Sequence, residues 1–159
     1  MALNKLDNLY RAVILDHSKT PRHKGKLDQV DAVMELRNPT CGDEIQVQIK
    51  LDDNKDRVED VAFDGQGCTI SMASASMMTQ SIMGKTLEEV NHLYSTFSEM
   101  VQGNEPDSMD ELGDAMMLEG VTKFPARVRC ATLSWKALNK ALMNQGKGID
   151  LEASEEIHD

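Results

Sequence analysis

The spacing of apolar residues changes twice along the chain. Leu3, Leu6, Leu9, Tyr10, Val13 and Ile14 recur at helical intervals and the pattern stops by Pro21, which predicts a first helix. From residue 31 the period falls to two: Ala32, Met34 and Leu36, then Ile45, Val47, Ile49 and Leu51, then Val61 and Phe63. Three short strands are expected. The Asp52-Asp53-Asn54-Lys55-Asp56 turn between the second and third marks an antiparallel hairpin with one face buried. After Cys68 the helical period returns. Residues 69–83 are rich in Ala, Ser and Met, which permits close approach of neighbouring backbones. Thr86 with Glu89 forms a capping box ahead of Leu87, Val90, Leu93 and Phe97, and Ser108 with Glu111 repeats that signature before Leu112. Pro125 opens a last helix through Val128, Ala131, Trp135, Leu138 and Leu142. Residues 145–159 are Gly-rich and acidic with no period, and are expected to be a flexible tail on a single domain spanning residues 1–144.

Composition narrows this picture. A chain of 159 residues, 40% of them hydrophobic, can bury one core of its own. No stretch approaches the roughly 18 consecutive apolar residues of a membrane span, and the first residues lack an apolar run followed by a small-residue cleavage site. A cytoplasmic protein is expected. The net charge of −10 is unevenly placed: residues 99–119 carry seven acids and no Lys or Arg, and five more acids follow Lys147. An acidic chain with only six aromatic residues lacks the basic face that phosphate binding needs, so nucleic acid is excluded as a partner. The one basic stretch, residues 19–26, reads as either a solvated connection or a docking surface.

Candidate chemistry sits at three cysteines, an odd number that argues for reduced thiols in metal or sulfur chemistry rather than a disulfide framework. Cys41 lies in Pro39-Thr40-Cys41-Gly42-Asp43, in the first strand-to-strand loop. Cys68 follows Gly65-Gln66-Gly67 where a helix begins, and Cys130 falls in the first turns of the last helix beside Arg127 and Arg129. Helix N-termini and nearby cations both favour thiolate over thiol. Asp43, two residues from Cys41, is a fourth candidate. Three thiolates and a carboxylate make a complete tetrahedral set for zinc or an anchor for an iron–sulfur cluster. Such a centre stays anionic with a divalent cation bound, and Lys123, Arg127 and Arg129 are placed to balance it. Any one cysteine alone would read as a small core residue; the shared site accounts for all three.

The other metal-type residues read as structural. His92 lies in a helix beside the apolar stripe, His158 in the tail, and His17 and His23 flank Pro21 with no acidic or cysteine partner at ligand spacing. Met77, Met78, Met83, Met116 and Met117 fall on expected helices as core filler.

Asn38-Pro39-Thr40-Cys41-Gly42-Asp43, then Phe63-Asp64-Gly65-Gln66-Gly67-Cys68-Thr69-Ile70-Ser71 with Ala73-Ser74-Ala75-Ser76, then a third cysteine in the last long helix, resemble the U-type iron–sulfur cluster assembly proteins (IscU and SufU). The similarity runs from about Leu3 to Met143 and includes Leu15-Asp16-His17 and Pro21-Arg22. Arg129 stands where the scaffold branch has a histidine. Lys123-Phe124-Pro125-Ala126-Arg127 also departs from that branch's Leu-Pro-Pro-Val-Lys chaperone motif. The acidic 99–119 segment is similar to an insertion in the SufU branch of Gram-positive bacteria.

The resemblance implies an α+β fold of the SufE/NifU type: a three-stranded antiparallel sheet, helices on one face, and zinc at one end held by Cys41, Asp43, Cys68 and Cys130. For the SufU branch it implies a zinc-dependent sulfur acceptor that takes persulfide sulfur from a SufS-type cysteine desulfurase and passes it to downstream iron–sulfur assembly proteins. Cys41, on the loop least constrained by helical packing, is the expected acceptor, with Arg127 and Arg129 in support. The alternative is a scaffold on which a [2Fe–2S] or [4Fe–4S] cluster is built. A free-standing zinc hydrolase is the weakest reading, because no His-Glu-x-x-His pattern and no His-x-Glu with Cys-x-x-Cys pattern is present.

Overall fold

A computed structural model describes residues 2–39, 42–104, 106–107 and 109–144. The elements run α1 (Ala2–Lys19), β1 (Ala32–Asn38), β2 (Asp43–Leu51), β3 (Val58–Gln66), α2 (Thr69–Ile82), α3 (Leu87–Val101), a 3₁₀ segment (Met109–Lys123) and α4 (Pro125–Asn144). The tail expected over residues 145–159 lies outside the described residues. No helix among the described residues is long and apolar enough to cross a membrane.

The sheet is the expected three-stranded antiparallel meander in the order β1-β2-β3. Ala32 pairs with Ile49 and Asn38 with Asp43 in the first ladder; Glu44 pairs with Gln66 in the second, which carries a bulge at Lys50/Leu51. The period of two turns Ile45, Val47, Ile49 and Leu51 onto one face, where all four are essentially inaccessible to water. Each such side chain stabilises the fold by roughly 1.5–3 kcal/mol relative to an exposed one. The hairpin turn closes as anticipated, with Asp52 Oδ1 accepting from the backbone of Asp56 and Arg57.

The helices cover that apolar face. α4 packs on β1 and β2, and α2 on β3 and α4. Every residue from 71 to 79 of α2 is buried, which its run of Ala, Ser and Met makes possible. Ser74 donates its hydroxyl hydrogen bond to the Ala131 carbonyl of α4. Phe97 of α3 stacks on Trp135 of α4, with ring centroids 4.4 Å apart and planes 11° from parallel. The Thr86–Glu89 capping box forms in full.

Residues 22–31 run along the outer edge and back of the sheet. The Gly25 N–H donates to the Phe63 carbonyl, the Phe63 N–H to the His23 carbonyl and the Leu27 N–H to Gln48 Oε1. The free edge of β3 is therefore partly covered. Arg22, within the basic stretch, pairs with Asp16. Part of that stretch is thus tied into the fold as a connection.

The segment around Leu112 departs from expectation. It winds as a 3₁₀ helix, broken at Gly113 (φ 63°, ψ −134°), rather than as an α-helix. Its buried residues, Leu112, Ala115, Leu118 and Val121, recur every third position, the period of a 3₁₀ turn. Ser108, the expected cap, lies outside the described residues. Glu111 pairs with His92 of α3 at 3.0 Å.

Candidate metal centre

Three of the four expected ligands come from separate elements and converge at one end of the sheet. Asp43 opens β2, Cys68 is the N-cap of α2, and Cys130 lies in the second turn of α4. One carboxylate oxygen of Asp43 and the sulfurs of Cys68 and Cys130 lie within 4.8 Å of one another. Asp43 and Cys130 are buried and Cys68 is partly exposed. Cys41 lies outside the described residues; the sequence puts it in the β1–β2 connection, two residues before Asp43.

The local backbone explains the convergence. Gly65 adopts φ 130°, and a β-carbon there would overlap the carbonyl oxygen of Glu44 on β2, so only glycine lets the two strands approach at the end of the ladder. Gly67 faces Asp43: a β-carbon there would lie 2.5 Å from Oδ1 and would also collide with Ser71 Oγ. Its missing side chain is the space into which the Asp43 carboxylate turns. Oδ1 then accepts the Cys68 backbone N–H at 2.8 Å. The first amide of the α2 cap is thereby satisfied, and the carboxylate sits at the positive end of the helix.

The second oxygen, Asp43 Oδ2, is buried and has no hydrogen-bond partner among the described residues. A carboxylate oxygen withdrawn from water without a partner is strongly disfavoured unless a cation faces it. With two thiols inside 4.8 Å, the set fits a thiophilic tetrahedral cation, and these residues supply three of the four donors such an ion needs. A hard carboxylate among soft sulfurs also makes one position of the set weaker than the others.

Beside this end lies an apolar groove of about 420 Å³, walled by α1, the start of α2, the 3₁₀ segment and the start of α4. Ile14, Leu15, Ile70 and Phe124 form its floor and sides, with Arg11 and Lys123 on its lining. Thr69, next to Cys68, connects groove and centre. Arg127 and Arg129 are exposed on α4, and Arg127 also lines the groove.

The sequence marks His17 as a structural residue without an acidic partner at ligand spacing. It is fully buried, as its step from Val13 and Ile14 along the apolar stripe allows, but both ring nitrogens are engaged. Nδ1 lies 2.7 Å from Ser76 Oγ on α2, and Nε2 lies 2.8 Å from Asp114 Oδ2 on the 3₁₀ segment. Ser76 Oγ also accepts the Arg22 N–H. No local spacing signals these partners, because each comes from a different element.

The family model for the NifU-like N terminal domain matches residues 9–144. The chain is 56% identical over 142 residues to the iron–sulfur cluster assembly scaffold protein IscU of Streptococcus pyogenes serotype M1, covering 89% of this chain and 87% of that protein. It is 54% identical over 143 residues to the zinc-dependent sulfurtransferase SufU of Bacillus subtilis strain 168, covering 90% and 95%. Among solved structures, a SUF-system protein of Fervidobacterium islandicum AW-1 superposes with a TM-score of 0.76 at 37% identity, over 82% of this chain and 93% of that one.

Proposed function

The chain belongs to the family of NifU-like N-terminal domains, and on that premise we propose that it serves iron–sulfur cluster assembly as a zinc-dependent sulfur acceptor for a cysteine desulfurase. The observation that carries the reading is the buried Asp43 carboxylate, whose Oδ2 has no partner among the described residues and one of whose oxygens lies within 4.8 Å of the sulfurs of Cys68 and Cys130. The relative named as a zinc-dependent sulfurtransferase, matched over nine-tenths of both chains, supports it further.

Cys41, Asp43, Cys68 and Cys130 would hold the zinc, which when bound supplies the positive charge that keeps the sulfurs deprotonated near neutral pH. The chain's own residues do the rest. Cys68 and Cys130 hang from the starts of two packed helices and form the fixed side of the set. Cys41 is on the connecting loop and is the sulfur that acts as nucleophile. Its thiolate attacks the outer sulfur of the desulfurase cysteine persulfide. That S–S bond breaks, a new S–S bond forms on Cys41, and the desulfurase cysteine leaves as thiolate, so no outside oxidant or reductant is needed. The groove beside the centre is where the desulfurase docks. Its apolar floor and the Arg11 and Lys123 side chains suit an apolar segment flanked by acids. Arg127 and Arg129 on α4 support the exchange by offsetting the negative charge of the sulfurs.

The test is alanine production from cysteine by a SufS-type desulfurase alone, with this protein, with its Cys41→Ala variant and with its zinc-stripped form. The expected result is stimulation by the intact protein only. Equal rates in all four samples would overturn the acceptor reading. The scaffold reading is favoured by the IscU relative at 56% identity. It predicts a coloured protein with sulfur-to-iron absorption after anaerobic purification, where the acceptor is colourless.

A further inference from the structure

Two buried polar atoms at the base of the β1–β2 hairpin have no partner among the described residues, and they are chemically complementary. Asp43 Oδ2 is an acceptor and Asn38 Nδ2 is a donor. The two residues are cross-strand partners at the base of the β1–β2 hairpin, where the Gly42 N–H donates to the Asn38 carbonyl at 2.9 Å. Directly opposed residues of an antiparallel pair put their side chains on the same face, with β-carbons about 4.5–5.5 Å apart. Asn38 is 5% exposed and Asp43 1%. An asparagine amide at a strand end ordinarily bonds nearby backbone, yet among the described residues this Nδ2 has no partner. A buried donor left idle across the strand pair from an idle carboxylate oxygen points to a contact that forms when the ion binds.

We propose that Asn38 is a positioning residue of the metal centre: with the ion bound, its amide N–H donates to Oδ2 of Asp43. This rests on the reading of Asp43 as a ligand. The carboxylate is then held at both oxygens, by the Cys68 backbone amide at Oδ1 and by Asn38 at Oδ2. Oδ2 keeps a second lone pair for the ion. Such outer partners orient a ligand and govern how tightly the ion is kept. Here the effect is to keep the weakest ligand of the set in place while the Cys41 sulfur is drawn off to react, so that the ion is retained through sulfur transfer.

The experiment uses the full chain, its Asn38→Leu and Asp43→Ala variants and the double variant. Zinc affinity is read by chelator competition, and the melting temperature of the metal-free form by circular dichroism. Leu has nearly the shape of Asn and removes the idle donor. The metal-free Asn38→Leu protein is therefore expected to melt at the same or a higher temperature than the metal-free parent. Its zinc affinity is expected to fall about 10-fold or more, and that loss should vanish in the Asp43→Ala background, as for two groups acting through one contact. Asn38→Ala, read in the same way, serves if Asn38→Leu does not fold. Unchanged zinc affinity overturns the proposal. So does a loss that persists without Asp43, or a metal-free melting temperature that falls in step with the affinity. An Asp43→Ala protein with parental zinc affinity would overturn the ligand reading itself. No desulfurase enters the measurement, so the outcome is separate from that of the sulfur-acceptor test.

Discussion

His17 and Asp114 lie 97 positions apart in the sequence and 2.8 Å apart in the fold, and the opposite nitrogen of the same imidazole reaches Ser76. One ring therefore joins α1, α2 and the 3₁₀ segment, which are three of the walls of the groove beside the centre. His17→Ala leaves a cavity and a buried hydroxyl with one partner fewer. It is expected to lower the unfolding free energy by about 2–4 kcal/mol. Asp114→Ala should lose about 1 kcal/mol or less, because that carboxylate is 45% exposed and its pairing is screened. Urea denaturation measures both; equal and small losses would mean that the ring does not hold the three elements together.

The convergence of Asp43, Cys68 and Cys130 predicts that metal content and stability move together. Cys41→Ala, Cys68→Ala and Cys130→Ala should each lower the zinc content from about one ion per chain and lower the melting temperature of the protein as isolated. Metal analysis and thermal melting check this. Three variants with full zinc and parental melting temperature would remove the shared site.

Gly67 and Gly65 separate damage to the site from damage to the fold. At Gly67 an added methyl meets two side-chain oxygens, Asp43 Oδ1 and Ser71 Oγ, so Gly67→Ala should displace the carboxylate. The expected outcome is weakened zinc binding with a stability loss of about 1–3 kcal/mol. At Gly65 the methyl meets the backbone of Glu44 and the residue has φ 130°, so Gly65→Ala should cost more than that and reduce folded yield. Zinc titration and urea denaturation of the two variants side by side distinguish these effects. Parental zinc affinity in Gly67→Ala would contradict the cradle.

Surface pairs and capping hydrogen bonds add a pH-dependent contribution. The Arg22 guanidinium holds the Asp16 carboxyl below the usual range, the Lys55 ammonium does the same for Asp31, and hydrogen bonds from Thr86 do so for Glu89. In each case the folded state releases its proton more readily than the unfolded state. The stabilisation is thus complete above the ordinary value of about 4 and is lost as pH falls through the lower folded-state values. Lys50, raised by its hydrogen bond to Glu59, has the opposite sign: its stabilisation is complete below the ordinary value of about 10.4 and is lost as pH rises through the raised one. In the metal-free protein the contribution of these groups to the urea midpoint is expected to be flat from about pH 5 to 9 and to fall on both sides, less steeply in high salt. A midpoint that rises on acidification below about pH 4 would reverse the assigned sign.

Much of the fold was legible residue by residue. The step of two through Ile45, Val47, Ile49 and Leu51 named the buried face of β2, and the Asp52–Asp56 cluster named the hairpin. Thr86 and Glu89 located the start of α3. The 3₁₀ segment was less legible, although Leu112, Ala115, Leu118 and Val121 recur at intervals of three. That period was a usable signal, obscured because Ser108 and Glu111 also spell a capping box. At the site, the glycines around Cys68 marked a close approach but not its target, since the carboxylate that fills the space at Gly67 comes from another strand.

The sequence by itself determined the three-stranded antiparallel sheet, the main helices and their buried faces, and the residue types of the centre. Periodicity, capping and turn chemistry are local properties, set within a few positions of each residue. Only the tertiary structure decided that Asp43 turns Oδ1 to the Cys68 amide, leaves Oδ2 without a partner among the described residues, and comes within 4.8 Å of two sulfurs. It likewise decided that His17 bonds Ser76 and Asp114, and that Asn38 and Asp43, cross-strand partners, each keep a buried polar atom with no partner among the described residues. Those relations depend on how α2, α4 and the sheet pack against one another. An apolar stripe specifies that a face is buried, but the element that buries it is selected by the shape and volume of the whole core.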